Sequence, residues 1–422
     1  MNEKIIEFLK KYHMDSSNID IDDALKNFRT EINKGLEKVG TISECSIPMI
    51  PTYLNPSVDC KINEKVIVID AGGTNLRIGL AHFDGKIWHI DDVKECMMPG
   101  VEREYSKEEF FDYIASRMMP YLDEAKNVGF CFSYRCAMND DLDGSLIAWA
   151  KEIKAKEVVG TFVGHELLKA VKKYSSVERK IVVLNDTCAV LLGGMTEDHN
   201  KECDKYIGTI YGTGFNCCYM EEKKAIKKLN SLDSGLMIIN TETGNFNGFK
   251  RGVFDDELTE SSLYPLEALT EKMSSGRYLA TLIYKALVKA KDEKLISQDT
   301  LIPASDSFDL PVVSKYLARI NNDLDKCFKS GDDIKTFKEI ALALINRASK
   351  VVATTVSAFA IKSNVKKIGI IIEGSTFYKL PTFKESFESY LKEILDHNSI
   401  TYKLFDGRDK VLLGAARAAM LK

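Results

Sequence analysis

Asp186 follows an apolar run, Ile181–Leu184, in the turn Asn185-Asp186-Thr187. A carboxylate at the end of a buried strand can take a proton from a substrate hydroxyl, a contribution of about 10²–10⁴ in rate. The same residue types also cap helices, and taken alone the turn fits either use. A second carboxylate, Asp70, ends the run Val66–Ile69 and precedes Gly72-Gly73-Thr74-Asn75. Glycine lets backbone amides close on a phosphate where a Cβ would intrude, and it permits positive φ. Asp70 can order magnesium through its waters, because that ion keeps several waters and takes one or two carboxylates plus phosphates. Thr74 and Asn75 can donate to a phosphate, and Arg77 can reach developing charge. Gly212-Thr213-Gly214 repeats the glycine–threonine turn after Tyr206–Tyr211. Two such turns facing each other across a cleft can hold a nucleoside triphosphate. As an isolated feature, the first turn fits a purely geometric role equally well.

The elements that must position these residues follow from the hydrophobic pattern. Strands are expected over Lys65–Val93 (with Asp84-Gly85 as a hairpin turn), Val128–Tyr134, Ile181–Leu184, Tyr206–Tyr211, Ala225–Lys228, Lys366–Ile372 and Ile400–Phe405. Helical spacing marks residues 3–38, Gly160–Tyr174, Leu263–Lys294, Val312–Ser330, Ile334–Lys362, Thr382–His397 and Val411–Lys422. Ser106 with Glu109 three residues on reads as a capping box opening a further helix. Strands alternating with helices give an α/β class. Two halves, each opening on a strand with a glycine–threonine turn, point to a duplicated architecture. A chain of 422 residues is long for one core, so two domains are expected. They divide as 61–184 plus 408–422, the smaller, and 1–60 plus 185–407, the larger, joined by crossing segments around a hinge.

Composition narrows the partners. A formal charge of −4 argues against a nucleic-acid or membrane surface. No run of about 18 apolar residues is present, so no membrane span is expected. The N-terminal segment has no apolar core of a signal peptide. The ten cysteines have neither CxxC nor zinc spacing, which fits reduced thiols and a cytoplasmic location. The six histidines have no partner spacing and take no role. No oligomeric state is assigned.

Five stretches in fixed order carry a family resemblance: Val66–Asn75, Ile181–Gly194, Tyr206–Asn216, Ile368–Thr376 and Val411–Met420. The chain resembles eukaryotic-type hexokinases, within the actin-like kinase superfamily. The stretches match that superfamily's two phosphate motifs, two connecting motifs and adenosine motif. FRTEINKGL, IPMIPTYL, GFCFSYRC, LIAWAKEIKA, VGHELL, GTGFNCCYMEE, EKMSSGRYLA and FYKLP are similar to further hexokinase segments, so the likeness covers nearly the whole chain. It implies a two-domain, ribonuclease H-like ATPase fold with a cleft between a small and a large domain. It also implies transfer of phosphate from ATP, with magnesium, to the 6-hydroxyl of a hexose such as glucose, with the domains closing on the sugar.

Carried over residue by residue, the resemblance makes Asp186 the general base, with Lys151 and Arg77 beside it. Ser133, Lys151 and Asn185 would hold the sugar, together with Asn216, Glu242 and Glu271 from the larger domain. The last two, read without the resemblance, are ordinary surface carboxylates. Asp70, Gly72, Gly73, Thr74, Asn75 and Arg77 would face the phosphates from one side, with magnesium at Asp70 through water. Gly212, Thr213 and Gly214 would do so from the other. Gly374 and Ser375 would lie near the adenosine, with Gly414 closing the pocket. Arg135 stands where the family has proline, Ala150 where it has threonine and Glu152 where it has glycine. These departures motivate two alternatives: a sugar-sensing protein without turnover, and a kinase for another monosaccharide.

Overall fold

The computed structural model describes residues 1–38, 44–57, 60–149, 153–230, 233–320, 323–328 and 330–421. Two sheets organise the chain. The first has the strand order Trp88–Met97, Asn75–Phe83, Val66–Gly72, Asn127–Phe132, Lys180–Leu184. Its first two pairings are antiparallel and the remaining two parallel. The second runs Leu236–Asn240, Phe215–Glu222, Lys205–Tyr211, Lys367–Glu373, Thr401–Asp406, with Ile50–Pro51 added outside Leu236–Asn240. Its core repeats the pattern of hairpin pairings followed by parallel ones. The duplicated architecture expected from the two glycine–threonine turns is thus present strand for strand, each turn closing the first hairpin of its sheet.

Two helices tie the sheets together. Asp186–Gly194 follows the last strand of the first sheet yet packs on the second, where a Cβ on Gly208 would lie 2.8 Å from Leu191 Cβ. Val411–Met420 follows the last strand of the second sheet yet packs on the first. There, a Cβ on Gly129 would lie 2.0 Å from the Ala415 carbonyl oxygen, and Leu412, Ala416 and Met420 join Val66 and Val68 in one apolar cluster. The helices cross at glycine: a Cβ on Gly414 would sit 1.8 Å from the Ala189 carbonyl oxygen, and one on Gly193 would sit 2.2 Å from that of Lys410. Gly414, expected beside the nucleotide, is required at this backbone crossing.

The largest core lies on one face of the second sheet. Its axis is the helix Gly331–Ser363, capped by Ser330, whose side chain accepts from the Asp333 N–H. Around it pack Glu3–Lys11, Ile21–Glu37, Gly276–Asp292 and Phe383–His397. The capping box at Ser106 and Glu109 opens Lys107–Met118 as expected. Other expectations are corrected. Ala225–Lys228 forms 3₁₀ turns, because Phe215–Glu222 already supplies the hairpin partner. The region from Leu263 begins as a loop and becomes helical at Leu269–Ser274 and Gly276–Asp292, with an extended Ser275 between them. Residues 3–38 form two helices separated by the capping residues Asp15 and Asp20. The strand Leu236–Asn240 and the hairpin Arg135–Met138 with Gly144–Ala148 were not legible from hydrophobic period.

Candidate active site

Asp70 sits opposite Arg77 across the first hairpin, and this register puts the two side chains on one face. Arg77 donates to the same Asp70 oxygen from Nε at 3.1 Å and from Nη2 at 2.6 Å. The other oxygen, Oδ1, faces the glycine turn, 3.6 Å from where a Gly72 Cβ would stand. Ser133 Oγ approaches the same point at 3.8 Å, placed there because the Ser133 N–H donates to the Ala71 carbonyl. The turn is braced by the Tyr134 hydroxyl, which donates to the Gly73 carbonyl at 3.1 Å, and by the Met98 N–H on the Thr74 carbonyl at 2.8 Å. Asn75 is directed outward, its amide donating to Glu95 at 2.7 Å.

The second turn is fixed to two other elements. The Gly212 N–H closes on the Gly214 carbonyl at 3.0 Å, while the Gly276 and Arg277 N–H groups donate to the Gly212 and Thr213 carbonyls. The turn therefore rests on the N-terminus of the helix Gly276–Asp292. Gly374 meets it from the neighbouring parallel strand with φ +129°, and a Cβ there would be 2.1 Å from the Tyr211 carbonyl oxygen. Only glycine fits both the conformation and the space. Gly374→Ala is expected to force the strand ends apart, at about 1–3 kcal/mol for the strained residue. A correspondingly lower urea unfolding midpoint is the measurement that checks it.

The proton-accepting candidate lies between these turns. Asn185 is the helix N-cap, its side chain accepting from the Thr187 N–H at 3.0 Å, so Asp186 is the first helical residue. The capping contact is shared between the neighbouring residues Asn185 and Asp186. Asp186 Oδ1 accepts from the Thr187 N–H at 2.8 Å, which orients the carboxylate at the helix start.

A polar chain runs away from this point. The Asn216 amide donates to Asn240 at 2.8 Å, and Asn240 donates to Glu242 at 2.9 Å. Asn216 Oδ1 accepts the Cys217 and Thr243 N–H groups, so both ends of this amide are occupied. Glu242 adopts φ +55°. Burial pushes its carboxyl up, Asn240 and Arg135 oppose that, and the charge of Asp186 adds to it. Glu271 accepts the Phe215 N–H at 3.0 Å and is likewise pushed up by burial, with Glu242 adding to the rise. Asp186, Glu242 and Glu271 therefore form a series within mutual electrostatic reach. Lys151, Ala150 and Glu152 lie outside the described residues.

Two residues escaped the sequence reading. Asn240 ends a strand that was not expected. Glu373 ends an apolar strand before Gly374-Ser375, the pattern recognised at Asp70 before its own glycines. Burial pushes the Glu373 carboxyl up to about 7, Asp186 and Asp70 add to this, and Arg77 opposes it. Glu373 thus links the first turn to the second. Its proton is held more tightly in the folded chain than in the unfolded one, where 4.5 applies, so its contribution to stability is full below that value and is lost as pH rises through about 7. Urea unfolding midpoints measured across this window should fall for the native chain and flatten for Glu373→Gln.

Two sheets of repeated order, linked by crossing helices and each closed by a glycine–threonine turn, define the actin-like ATPase and sugar-kinase class. Family models described as hexokinase match residues 4–196 and 206–421. The chain belongs to the hexokinase family. It is 28% identical to human (Homo sapiens) Hexokinase-1 over 438 aligned positions, 95% of this chain and 46% of that relative. It is 33% identical to mouse (Mus musculus) Hexokinase HKDC1 over 302 positions, covering 68% of this chain and 32% of that relative. The chain thus spans about half the length of these curated relatives, 46% in the first case. A hexokinase from Schistosoma mansoni complexed with glucose superposes with a TM-score of 0.83 at 24% identity, covering 99% of this chain and 98% of that one. Among the described residues no helix is long and apolar enough to cross a membrane.

Proposed function

We propose that the chain transfers the terminal phosphoryl group of ATP to the 6-hydroxyl of a hexose, with glucose the first candidate. The observation that carries this reading is the series of half-buried carboxylates Asp186, Glu242 and Glu271, with the amides Asn216 and Asn240 hydrogen-bonded in line with Glu242. A polyol needs acceptors and donors in alternation, and carboxylates beside amides supply them. Asp186 is the base: it takes the proton as the 6-oxygen attacks the phosphoryl group and ADP leaves. Asn185 and Ser133 face the sugar from the side of the first sheet, and Asn240, Glu242 and Glu271 from the other, with Asn216 acting through Asn240. The resemblance adds Lys151 to the sugar contacts. Gly72, Gly73 and Thr74 face the phosphates from one side, Gly212, Thr213 and Gly214 from the other, with Gly374 and Ser375 toward the nucleoside.

Among the described residues no three His, Cys, Asp or Glu side chains converge on a metal. Asp70, with one oxygen taken by Arg77 and one facing the turn, suits a magnesium ion held through water and phosphate oxygens. Such an ion would neutralise phosphate charge during transfer. Arg77 acts here chiefly by fixing Asp70. The halves 61–184 plus 408–422 and 1–60 plus 185–407 would move about the crossing helices, excluding water as the sugar binds. Buried thiols such as Cys131, Cys188, Cys217 and Cys218 fit a reducing, cytoplasmic setting.

The test is ADP release with ATP, magnesium and glucose, mannose, fructose or glucosamine. Sugar-dependent turnover supports the reading. Calorimetric sugar binding without turnover on any of them would replace it with the sugar-sensing alternative.

A further inference from the structure

Arg135 lies two residues beyond Ser133, as the first residue of the hairpin strand Arg135–Met138. The pairing of that strand with Gly144–Ala148 is irregular immediately after it. The strand runs beside the Asn240–Glu242 pair: its Cys136 and Met138 line one small cavity with Asn185 and Asn240, Asn240 donates to Glu242 at 2.9 Å, and the charge of Arg135 acts on Glu242. Arg135 is half-buried, and its buried Nε meets no acceptor. A buried guanidinium N–H without a partner is costly unless something else comes to accept it. Arg135 and Glu242 nonetheless make no direct ion pair among the described residues. A donor-only group thus lies within electrostatic reach of an acceptor in the proposed sugar site.

We propose that Arg135 is a sugar-specificity residue, which donates to a neutral hydroxyl bridging it to Glu242 and turns away hexoses that carry an ammonium group there. This rests on the hexose reading above. A hydroxyl gives its proton to the carboxylate and accepts from the guanidinium at once. An ammonium group has no lone pair for Arg135, and it brings a like charge to a few ångströms, where repulsion in a partly desolvated site is large. The other carboxylates of the pocket, Asp186 and Glu271, would by themselves attract a cationic sugar. Arg135 reverses that bias.

The experiment measures kcat/KM for glucose and glucosamine with the native chain, Arg135→Met and Arg135→Lys. In Arg135→Met the glucosamine-to-glucose ratio should rise about tenfold or more, and in Arg135→Lys it should stay near the native value. In the native chain the preference for glucose should relax as pH rises until the amine is neutral. A ratio unchanged within about twofold in a folded Arg135→Met protein would overturn the inference, on the same electrostatic scale. Should Arg135→Met not fold, the native pH dependence decides, and a preference indifferent to amine charge overturns the inference equally. If no hexose is turned over, the proposed reaction fails on its own. The same ratios, taken from calorimetric binding, then decide Arg135 separately.

Discussion

Asp186→Ala is expected to lower kcat for hexose phosphorylation by at least about 10²-fold, because proton removal from the attacking hydroxyl is then left to water. The structure makes this a clean experiment. The helix Asp186–Gly194 keeps its N-cap, since Asn185 still accepts the Thr187 N–H that Asp186 also accepts. Unfolding midpoints should therefore stay close to native while turnover collapses. Glucose affinity measured by calorimetry should change far less than kcat, as expected for a group whose contribution is greatest in the transition state. Asp186→Asn keeps the shape and most hydrogen bonds and should lose as much rate. Near-native turnover in either variant would remove Asp186 from the role of base and leave Glu373 as the next carboxylate to test.

The largest effect on stability is expected far from the pocket. Arg347, in the middle of the long helix Gly331–Ser363, is 1% exposed and pairs with Asp255, which is fully buried at 0%. Arg347 Nη1 donates to Asp255 Oδ1 at 3.1 Å and Nη2 donates to Oδ2, while the same carboxylate accepts the Gly252 N–H at 2.7 Å. Asp255→Ala leaves a guanidinium buried without its counter-charge, which costs about 3–5 kcal/mol. A fall in the urea midpoint of corresponding size checks it. Replacing both members by apolar residues, as Asp255→Leu with Arg347→Met, should restore much of the loss, because an apolar pair of similar volume is often as stable as a buried ion pair. A double variant no better than Asp255→Ala would show that the Gly252 contact, and not the charge, carries the effect.

The legibility of the site differed with the kind of signal. Asp70 and Asp186 stand at the ends of apolar strands before turn residues, a pattern that period and turn chemistry make visible in one dimension. Both glycine–threonine turns fall where they were expected. Glu373 carries the same pattern and was passed over; its link to Asp70 and Asp186 arises only because Lys367–Glu373 is the parallel neighbour of Lys205–Tyr211. Asn240 was missed because Leu236–Asn240 is short and apolar throughout, with no alternation to mark it as a strand. Gly414 meets the Ala189 carbonyl, 225 residues earlier in the chain, and no local pattern announces a crossing of that kind.

By itself the sequence determined the α/β class, the repeated hairpin-led halves, the two glycine turns and the carboxylates beside them. These follow from local causes: strand period, the backbone freedom of glycine, and the pairing of apolar runs with turn residues. Tertiary structure decided which side chains share a pocket and which do not. It gave Asp70 to Arg77, the capping role to Asn185, Asn216 to Asn240, and Arg135 to the neighbourhood of Glu242. Those choices depend on strand register and on two helices that each cross to the other sheet. Register and crossing are set by packing summed over distant residues, and no short window of sequence contains that sum.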